Sequence, residues 1–100
     1  MKNFRTYSLA VEFYRISKTL PLSGALKEQL SRAAPSIALN LSEGRGRGSS
    51  KDQGRFFQIA MGSLRECQTI LELADLQDTE AWRVLDMLGA HLYKLIQNKG

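Results

Sequence analysis

Apolar residues recur every three or four positions along this chain, in four stretches separated by short segments that contain proline, glycine or polar residues. This spacing gives each stretch one apolar helical face, and none shows the alternation expected of a strand. The pattern predicts helices over about residues 4–20, 23–43 and 50–76, and a fourth from about residue 80 onwards. Because short connections favour antiparallel neighbours, we expect an all-α, up-and-down antiparallel four-helix bundle.

The same spacing identifies the side chains that are expected to face the core. The second segment contributes Leu26, Leu30, Ala33, Ala34, Ile37 and Leu41. The third contributes a heptad-like row of Phe56, Ala60, Ser63, Cys67, Ile70 and Ala74. The fourth contributes Ala81, Leu85, Leu88, Leu92 and Leu95.

Local signals refine the shape and the ends of the second and third segments. Pro35 removes a helical hydrogen bond and crowds the preceding turn, so we expect one kinked helix there. Two shorter helices are the alternative, but the apolar spacing continues across the proline. Gly44 is expected to supply a left-handed C-terminal cap. Ser49 or Ser50 can cap the third segment, with Gln53 as a capping-box partner.

The first segment carries two apolar faces. With successive residues about 100° apart, the two groups are Leu9, Phe13, Ile16 and Leu20 on one side and Tyr7, Val11 and Tyr14 nearly opposite. One face can fill the core, and the other can be buried against a second copy of the chain. The alternative is that the tyrosine hydroxyls tolerate solvent and the second face is incidental.

Composition limits the classes of protein that fit. The chain has 100 residues, 43% hydrophobic and 24% charged, which suits a single globular domain spanning residues 1–100. No apolar run approaches the roughly 20 residues needed to span a bilayer, so we expect a cytoplasmic protein without a membrane partner. Cys67 and His91, the only cysteine and histidine, cannot form an internal disulfide or an ordinary zinc site.

Positive charge is concentrated in the first two thirds of the chain. Residues 1–66 carry eleven Lys or Arg against five Asp or Glu, whereas residues 67–100 carry three against five. The net charge of +4 therefore arises entirely from the first part. This asymmetry permits a polyanionic partner through non-specific electrostatics but does not require one.

A polar stripe accompanies the apolar face of the second segment. It consists of Arg32, Ser36, Asn40 and Glu43, and it is expected to meet Arg55, Ser63 and Glu66 on the third segment. Inter-helix ion pairs or subunit contacts would explain such residues. The alternative makes Glu43 and Glu66 an acid–base pair or metal ligands. A di-iron bundle needs Glu-x-x-His, however, and Leu88 occupies that glutamate position before His91.

Residues 44–51 form a glycine- and arginine-rich loop, GRGRGSSK. A phosphate-binding Walker loop places lysine directly before Ser or Thr and follows a strand, and this segment does neither. The arginines instead suit contacts with nucleic-acid phosphates, and the candidate residues are Arg45, Arg47, Lys51 and Arg55. The alternative is a solvated loop whose charges only keep the protein in solution.

Two groups of residues resemble a known family. They are Gln29, Arg32, Ala33, Ser36, Ile37, Asn40, Glu43 and Gly44, followed by Arg55, Phe56, Ala60, Gly62, Ser63 and Glu66. In this series the chain resembles the four-helix-bundle proteins encoded in intervening sequences of bacterial large-subunit ribosomal RNA genes. The resemblance implies a homopentamer. A related group, the accessory subunits of diversity-generating retroelements, binds reverse transcriptase and nucleic acid and is more basic than this chain.

These observations together favour a non-enzymatic, oligomeric bundle that binds RNA or DNA through a basic surface. No cofactor or metal is expected. The alternative function is a structural or protein–protein interaction scaffold with no nucleic-acid role. The polar stripe and the tyrosines Tyr7 and Tyr14 are assigned to subunit contacts or to a structural network.

Overall fold

The computed structural model describes residues 4–98, and within that range it contains four helices and no strand. The helices are α1 (Phe4–Ser17), α2 (Gly24–Arg45), α3 (Ser50–Leu73) and α4 (Glu80–Gln97). Each helix backbone approaches two neighbours, in the order α1, α2, α3, α4 and back to α1, and within the described residues the backbones of diagonal helices stay farther apart. The predicted four-helix bundle is confirmed.

The bundle measures 40 × 21 × 19 Å, and its long dimension matches a 24-residue helix of about 36 Å. The α2–α3 turn, the start of α1 and the end of α4 lie at one end of the bundle, while the α1–α2 and α3–α4 connections lie at the other. No helix among the described residues is long and apolar enough to cross a membrane.

Side-chain caps fix where α3 and α4 begin. The Ser49 side chain accepts a hydrogen bond from the Asp52 backbone N–H, and Thr79 does the same for Trp82. Ser49 is therefore the cap of α3, while the Gln53 side chain hydrogen-bonds to the Arg47 carbonyl instead of completing a capping box. The α3 helix ends at Leu73, earlier than predicted, and the connection beyond it includes Asp75 at φ 57°.

Among the residues whose burial the structure describes, nineteen buried apolar side chains from all four helices form one core. The expected faces of α2 and α4 are confirmed, with only Leu26 and Leu95 half-buried at their margins. The Pro35 expectation of a single helix is also confirmed, because α2 runs through the proline without interruption.

The buried face of α3 differs from the prediction. Ala60, Cys67 and Ile70 are buried as expected, but the large core side chains are Phe57, Leu64 and Leu71. Phe56, Ser63 and Ala74, which belong to the predicted row, are only half-buried. Both rows have helical spacing and share members, so periodicity alone could not separate them. The larger side chains took the interior because they bury more apolar surface.

The orientation of α1 is a second correction. Its buried residues are Thr6, Leu9, Ala10, Phe13 and Ser17, so the core-facing direction is rotated from the predicted Leu9–Leu20 face. This rotation brings Tyr7 and Tyr14 to one edge of the buried face. Both tyrosines are half-buried and pack against the core of the same chain. Neither lies opposite the core as predicted.

Gly44 has a different role from the predicted left-handed cap. The α2 helix continues to Arg45, and the cap residue is Gly46 with an ordinary φ of −83°. Gly44 is buried, and a Cβ atom there would lie 2.8 Å from Cε1 of Phe57 and 3.0 Å from Cβ of Phe56. The glycine is needed because α2 and α3 approach closely at this point, leaving no room for a side chain.

This close approach predicts that Gly44→Ala destabilises the bundle. The added methyl must displace the buried Phe57 ring, and such overpacking costs roughly 1–3 kcal/mol, despite the better helix propensity of alanine. Urea unfolding monitored by circular dichroism measures the change. Gly62→Ala is the matched control, because its Cβ would meet nothing within 4 Å. That substitution should stabilise α3 by up to about 1 kcal/mol, and a stabilising Gly44→Ala would contradict the prediction.

Candidate nucleic-acid interface

The structure brings the four predicted basic residues to one end of the bundle. Arg45 is the last residue of α2, Arg47 lies in the turn, and Lys51 and Arg55 lie in the first turns of α3. The start of α1 reaches the same end, because the guanidinium of Arg45 lies over the ring of Tyr7. We call Arg45, Arg47, Lys51 and Arg55 the basic end.

Hydrogen bonds hold the turn between α2 and α3 in a defined shape. The backbone N–H of Arg47 donates to the carbonyl of Gly44 at 3.1 Å. The Nε2 of Gln53 donates to the carbonyl of Arg47 at 3.2 Å. Together with the Ser49 cap, these contacts tie the turn to both helices. The turn is therefore held by internal hydrogen bonds despite its glycine-rich sequence.

Three of the four basic residues lie over aromatic rings. The guanidinium carbons of Arg47 and Arg55 lie 4.7 and 5.1 Å from the centroid of the Phe56 ring. The guanidinium carbon of Arg45 lies 5.1 Å from the centroid of the Tyr7 ring. These distances are within the range of cation–π attraction. The rings thus help to orient the cations of the basic end.

Two carboxylates partly neutralise this end. Glu43 Oε2 lies 2.5 Å from Nη2 of Arg47, and Asp52 Oδ1 lies 3.9 Å from Nη2 of Arg55. All four side chains are exposed enough that such pairs contribute little to stability. Lys51 has no acidic side chain within ion-pairing distance among the described residues.

Arg45 differs from the other three cations because it is half-buried. Its Nη1 atom is buried and has no hydrogen-bond partner among the described residues. A buried donor without an acceptor costs free energy, and most such groups in folded proteins are satisfied. The Tyr7 ring offers the Arg45 cation an electrostatic contact but no hydrogen-bond acceptor for this atom.

The opposite end of the bundle carries a concentration of acidic residues. The α3–α4 connection contains Asp75 and Asp78, and Glu80 opens α4. Glu80 forms an ion pair with Arg83 one turn later. Lys18 and Lys27 beside the α1–α2 connection lie at the same end, so this end carries charges of both signs.

The predicted polar stripe is brought together only in part. Ser36 Oγ and Ser63 Oγ lie 2.7 Å apart and join α2 to α3. Asn40 Nδ2 donates to the Ser36 carbonyl at 2.9 Å and to its hydroxyl at 3.1 Å. These three residues form a structural network between the helices.

Arg32, Glu43 and Glu66 lie outside this network and are exposed. The predicted ion pairs between α2 and α3 are not formed in residues 4–98, where all three ion pairs join residues three or four positions apart. Glu43 reaches Arg47 in the adjacent turn instead of Arg55 on α3. Long exposed side chains find local partners more readily than distant ones because the conformational entropy cost is smaller.

Residues 4–97 match the family described as 23S rRNA-intervening sequence protein. The chain belongs to this family. The match covers almost the entire chain and includes the α2–α3 turn, so the resemblance inferred from sequence is confirmed. Neither the curated proteins nor the solved structures contain a match to the chain.

Sequence interpretation of this intervening-sequence protein missed the aromatic part of the basic end. The sequence pattern predicts Phe56 in the core and Tyr7 in a subunit contact, but each ring lies under an arginine. One signal was present in the sequence, because Phe56 and Phe57 are adjacent and their side chains leave the helix about 100° apart, so the two rings face different directions.

The side chains that most often bind metals or act as nucleophiles are few in this chain, with one histidine and one cysteine. Within the described residues, no set of three or more His, Cys, Asp or Glu side chains is arranged to hold a metal ion. His91 is exposed, and Cys67 is fully buried in the core. Burial, and secondarily the charge of Glu66, raises the pKa of the Cys67 thiol to about 12. The thiolate that nucleophilic chemistry requires is therefore disfavoured at neutral pH.

The raised pKa of Cys67 predicts a decrease in stability at alkaline pH. Below the ordinary pKa of 9.0 both folded and unfolded states keep the thiol proton, whereas above it only the unfolded state releases the proton until the pH approaches about 12. Between pH 8 and 10.5 the free energy of unfolding should fall by about 2 kcal/mol more in the wild type than in Cys67→Ala. Urea unfolding under reducing conditions measures both proteins, and equal pH dependence would contradict the expectation.

Proposed function

We propose that this intervening-sequence protein is a non-enzymatic, self-associating bundle that binds nucleic acid through its basic end. The observation that carries the proposal is the convergence of Arg45, Arg47, Lys51 and Arg55 around one turn. Arginine and lysine at such a position contact phosphate oxygens without reading sequence.

The backbone adds to the attraction for phosphates. The N-terminus of α3 lies at the basic end, and its Ser49 cap leaves further backbone N–H groups of the first turn without intrahelical partners. The positive end of the helix dipole favours anions at this point. Lys51 and Arg55 therefore lie where the backbone itself attracts phosphate.

Self-association would multiply this small charge. The family resemblance implies a homopentamer, in which five copies of the basic end would form a larger positive surface. A shallow groove runs along the outer side of α1, lined by Tyr7, Ser8, Val11, Glu12, Arg15 and Ile16. Val11 is half-buried and is not part of the core, so it can bury apolar surface against a second copy.

Val11→Glu is therefore expected to weaken assembly without unfolding the bundle. A carboxylate at this position would have to give up its hydration in a contact between copies. Light scattering at micromolar concentration should give five chain masses for the wild type and a smaller particle for Val11→Glu. Val11→Thr, which preserves the shape, is the control and should remain assembled. A monomeric wild type would contradict the proposed self-association.

Binding across a salt series tests the nucleic-acid proposal. Lys51→Gln should weaken binding and reduce the slope of log affinity against log salt by about 0.7 to 0.9 for each phosphate that the lysine neutralises in the wild type. Lys27→Gln is the matched control, because Lys27 is also an exposed lysine in the first turn of a helix but lies at the opposite end. Lack of binding by the wild type even at low salt would exclude the proposed function.

Glu43→Gln should have the opposite effect in the same experiment. The Arg47 guanidinium is ion-paired with the Glu43 carboxylate, so a phosphate has to compete with that carboxylate for Arg47. Removing the carboxylate charge leaves Arg47 available, so affinity should rise. The substitution should not weaken α2, because a negative charge near a helix C-terminus is unfavourable.

A protein-interaction scaffold is the second candidate function. Large apolar side chains remain exposed on α2 and α3, with Leu39 and Leu73 each at 67% and Ile59 at 44%. Exposed apolar groups of this size suit contacts with another protein. Purification of the protein with a defined protein partner and without nucleic acid would favour this function.

A further inference from the structure

We propose that the basic end binds unpaired, single-stranded nucleic acid, whose bases stack against the arginine–aromatic pairs of this surface. The inference rests on the proposed function and adds the class of ligand. The pairs are Arg45 with Tyr7, and Arg47 and Arg55 with Phe56.

Cation–π pairs are concentrated at this end of the molecule. Four pairs occur among the described residues, and three of them belong to the basic end. The fourth, Lys18 over Tyr14, is on the opposite half of α1. The three pairs at the basic end use two rings, Tyr7 and Phe56, so aromatic groups accompany the cations of this surface.

The arginines over Phe56 remain accessible to a ligand. The side chain of Arg47 keeps 40% of its accessible surface and that of Arg55 keeps 64%. A guanidinium is planar, so when one face meets a protein ring, the other can stack on a nucleic-acid base. The two guanidinium groups beside the Phe56 ring therefore offer exposed planar groups on which an unpaired base can stack.

The position of these planar groups is defined before any ligand binds. Phe56 is half-buried and lies close to the α2 backbone, since a Cβ atom added at Gly44 would be only 3.0 Å from the Phe56 Cβ. The carbonyl of Arg47 accepts a hydrogen bond from Gln53, which fixes the turn that carries the arginine. Binding to a preorganised surface carries a smaller cost in conformational entropy.

The charge balance of the surface also favours single strands over duplexes. Glu43 and Asp52 offset part of the positive charge of Arg47 and Arg55. A duplex buries its base faces and offers mainly phosphates, so its binding depends on the uncompensated charge. Stacking on exposed bases does not need net charge and is tolerant of sequence. Partly neutralised arginines over rings are thus better suited to unpaired bases.

Fluorescence anisotropy at a fixed low salt concentration tests the inference directly. The probes are a labelled single-stranded RNA of mixed sequence about 12 nucleotides long, within the range that single-strand sites occupy, the DNA of the same sequence, and the RNA and DNA duplexes formed with their complements. The wild type should bind both single strands about fivefold or more tightly than the duplexes, the difference expected from stacking at least one base. Comparison of the RNA and DNA arms identifies which single strand is preferred.

Phe56→Leu and Arg47→Lys separate stacking from charge. Leucine removes the ring but keeps an apolar side chain, and lysine keeps the charge but removes the planar group. Each should lower single-strand affinity about fivefold or more, while the salt dependence with Phe56→Leu stays unchanged because no cation is removed. Phe56→Tyr should retain the affinity. Arg83→Lys is the matched control, because Arg83 is an exposed arginine that lies over no ring among the described residues.

The outcomes distinguish this inference from the proposed function. Equal binding of single strands and duplexes would overturn the inference while leaving nucleic-acid binding intact. If Arg47→Lys kept the full preference for single strands, the inference would also be overturned and nucleic-acid binding would remain. This test holds even if Phe56→Leu fails to fold. Absence of binding to all four probes at low salt would overturn the proposed function together with the inference.

Discussion

The close approach of α2 and α3 at Gly44 is the constraint on which the rest of the arrangement depends. The absence of a side chain at Gly44 lets the Phe57 ring enter the core directly beside the α2 backbone. Two turns farther along α3, the Ser36 and Ser63 hydroxyls meet between the same helices. Small residues at both points allow a separation that larger side chains would prevent, and the hydrogen bond fixes the helices relative to each other.

The basic end is a consequence of this packing. Phe57 fills the core, and the adjacent Phe56, about 100° farther around α3, is only half-buried and lies beside the turn that carries Arg47. The rotation of α1 similarly brings Tyr7 under Arg45. The positions that make the surface aromatic as well as basic therefore follow from how the core is filled. Without these rings, the positive charge would not distinguish one polyanion from another.

Much of the fold could be predicted from the sequence, whereas the faces of two helices could not. Four helices, short connections and an α2 that continues through Pro35 all follow from local spacing and breakers. On α3, however, the rows that include Phe56 and Phe57 are both periodic, and only packing against the other helices selected between them. Gly44 showed the same ambiguity, because a glycine near a helix end serves equally well as a cap or as a point of close contact.

The sequence by itself determined the helical class, the number of elements, the family and the presence of four basic residues near one turn. These properties depend on composition and short-range spacing, which are visible along a single chain. The tertiary structure decided which side chains were buried and which rings lay beneath Arg45 and Arg47. Those contacts join residues from different helices or opposite sides of a turn, so their geometry exists only after the helices have packed against one another.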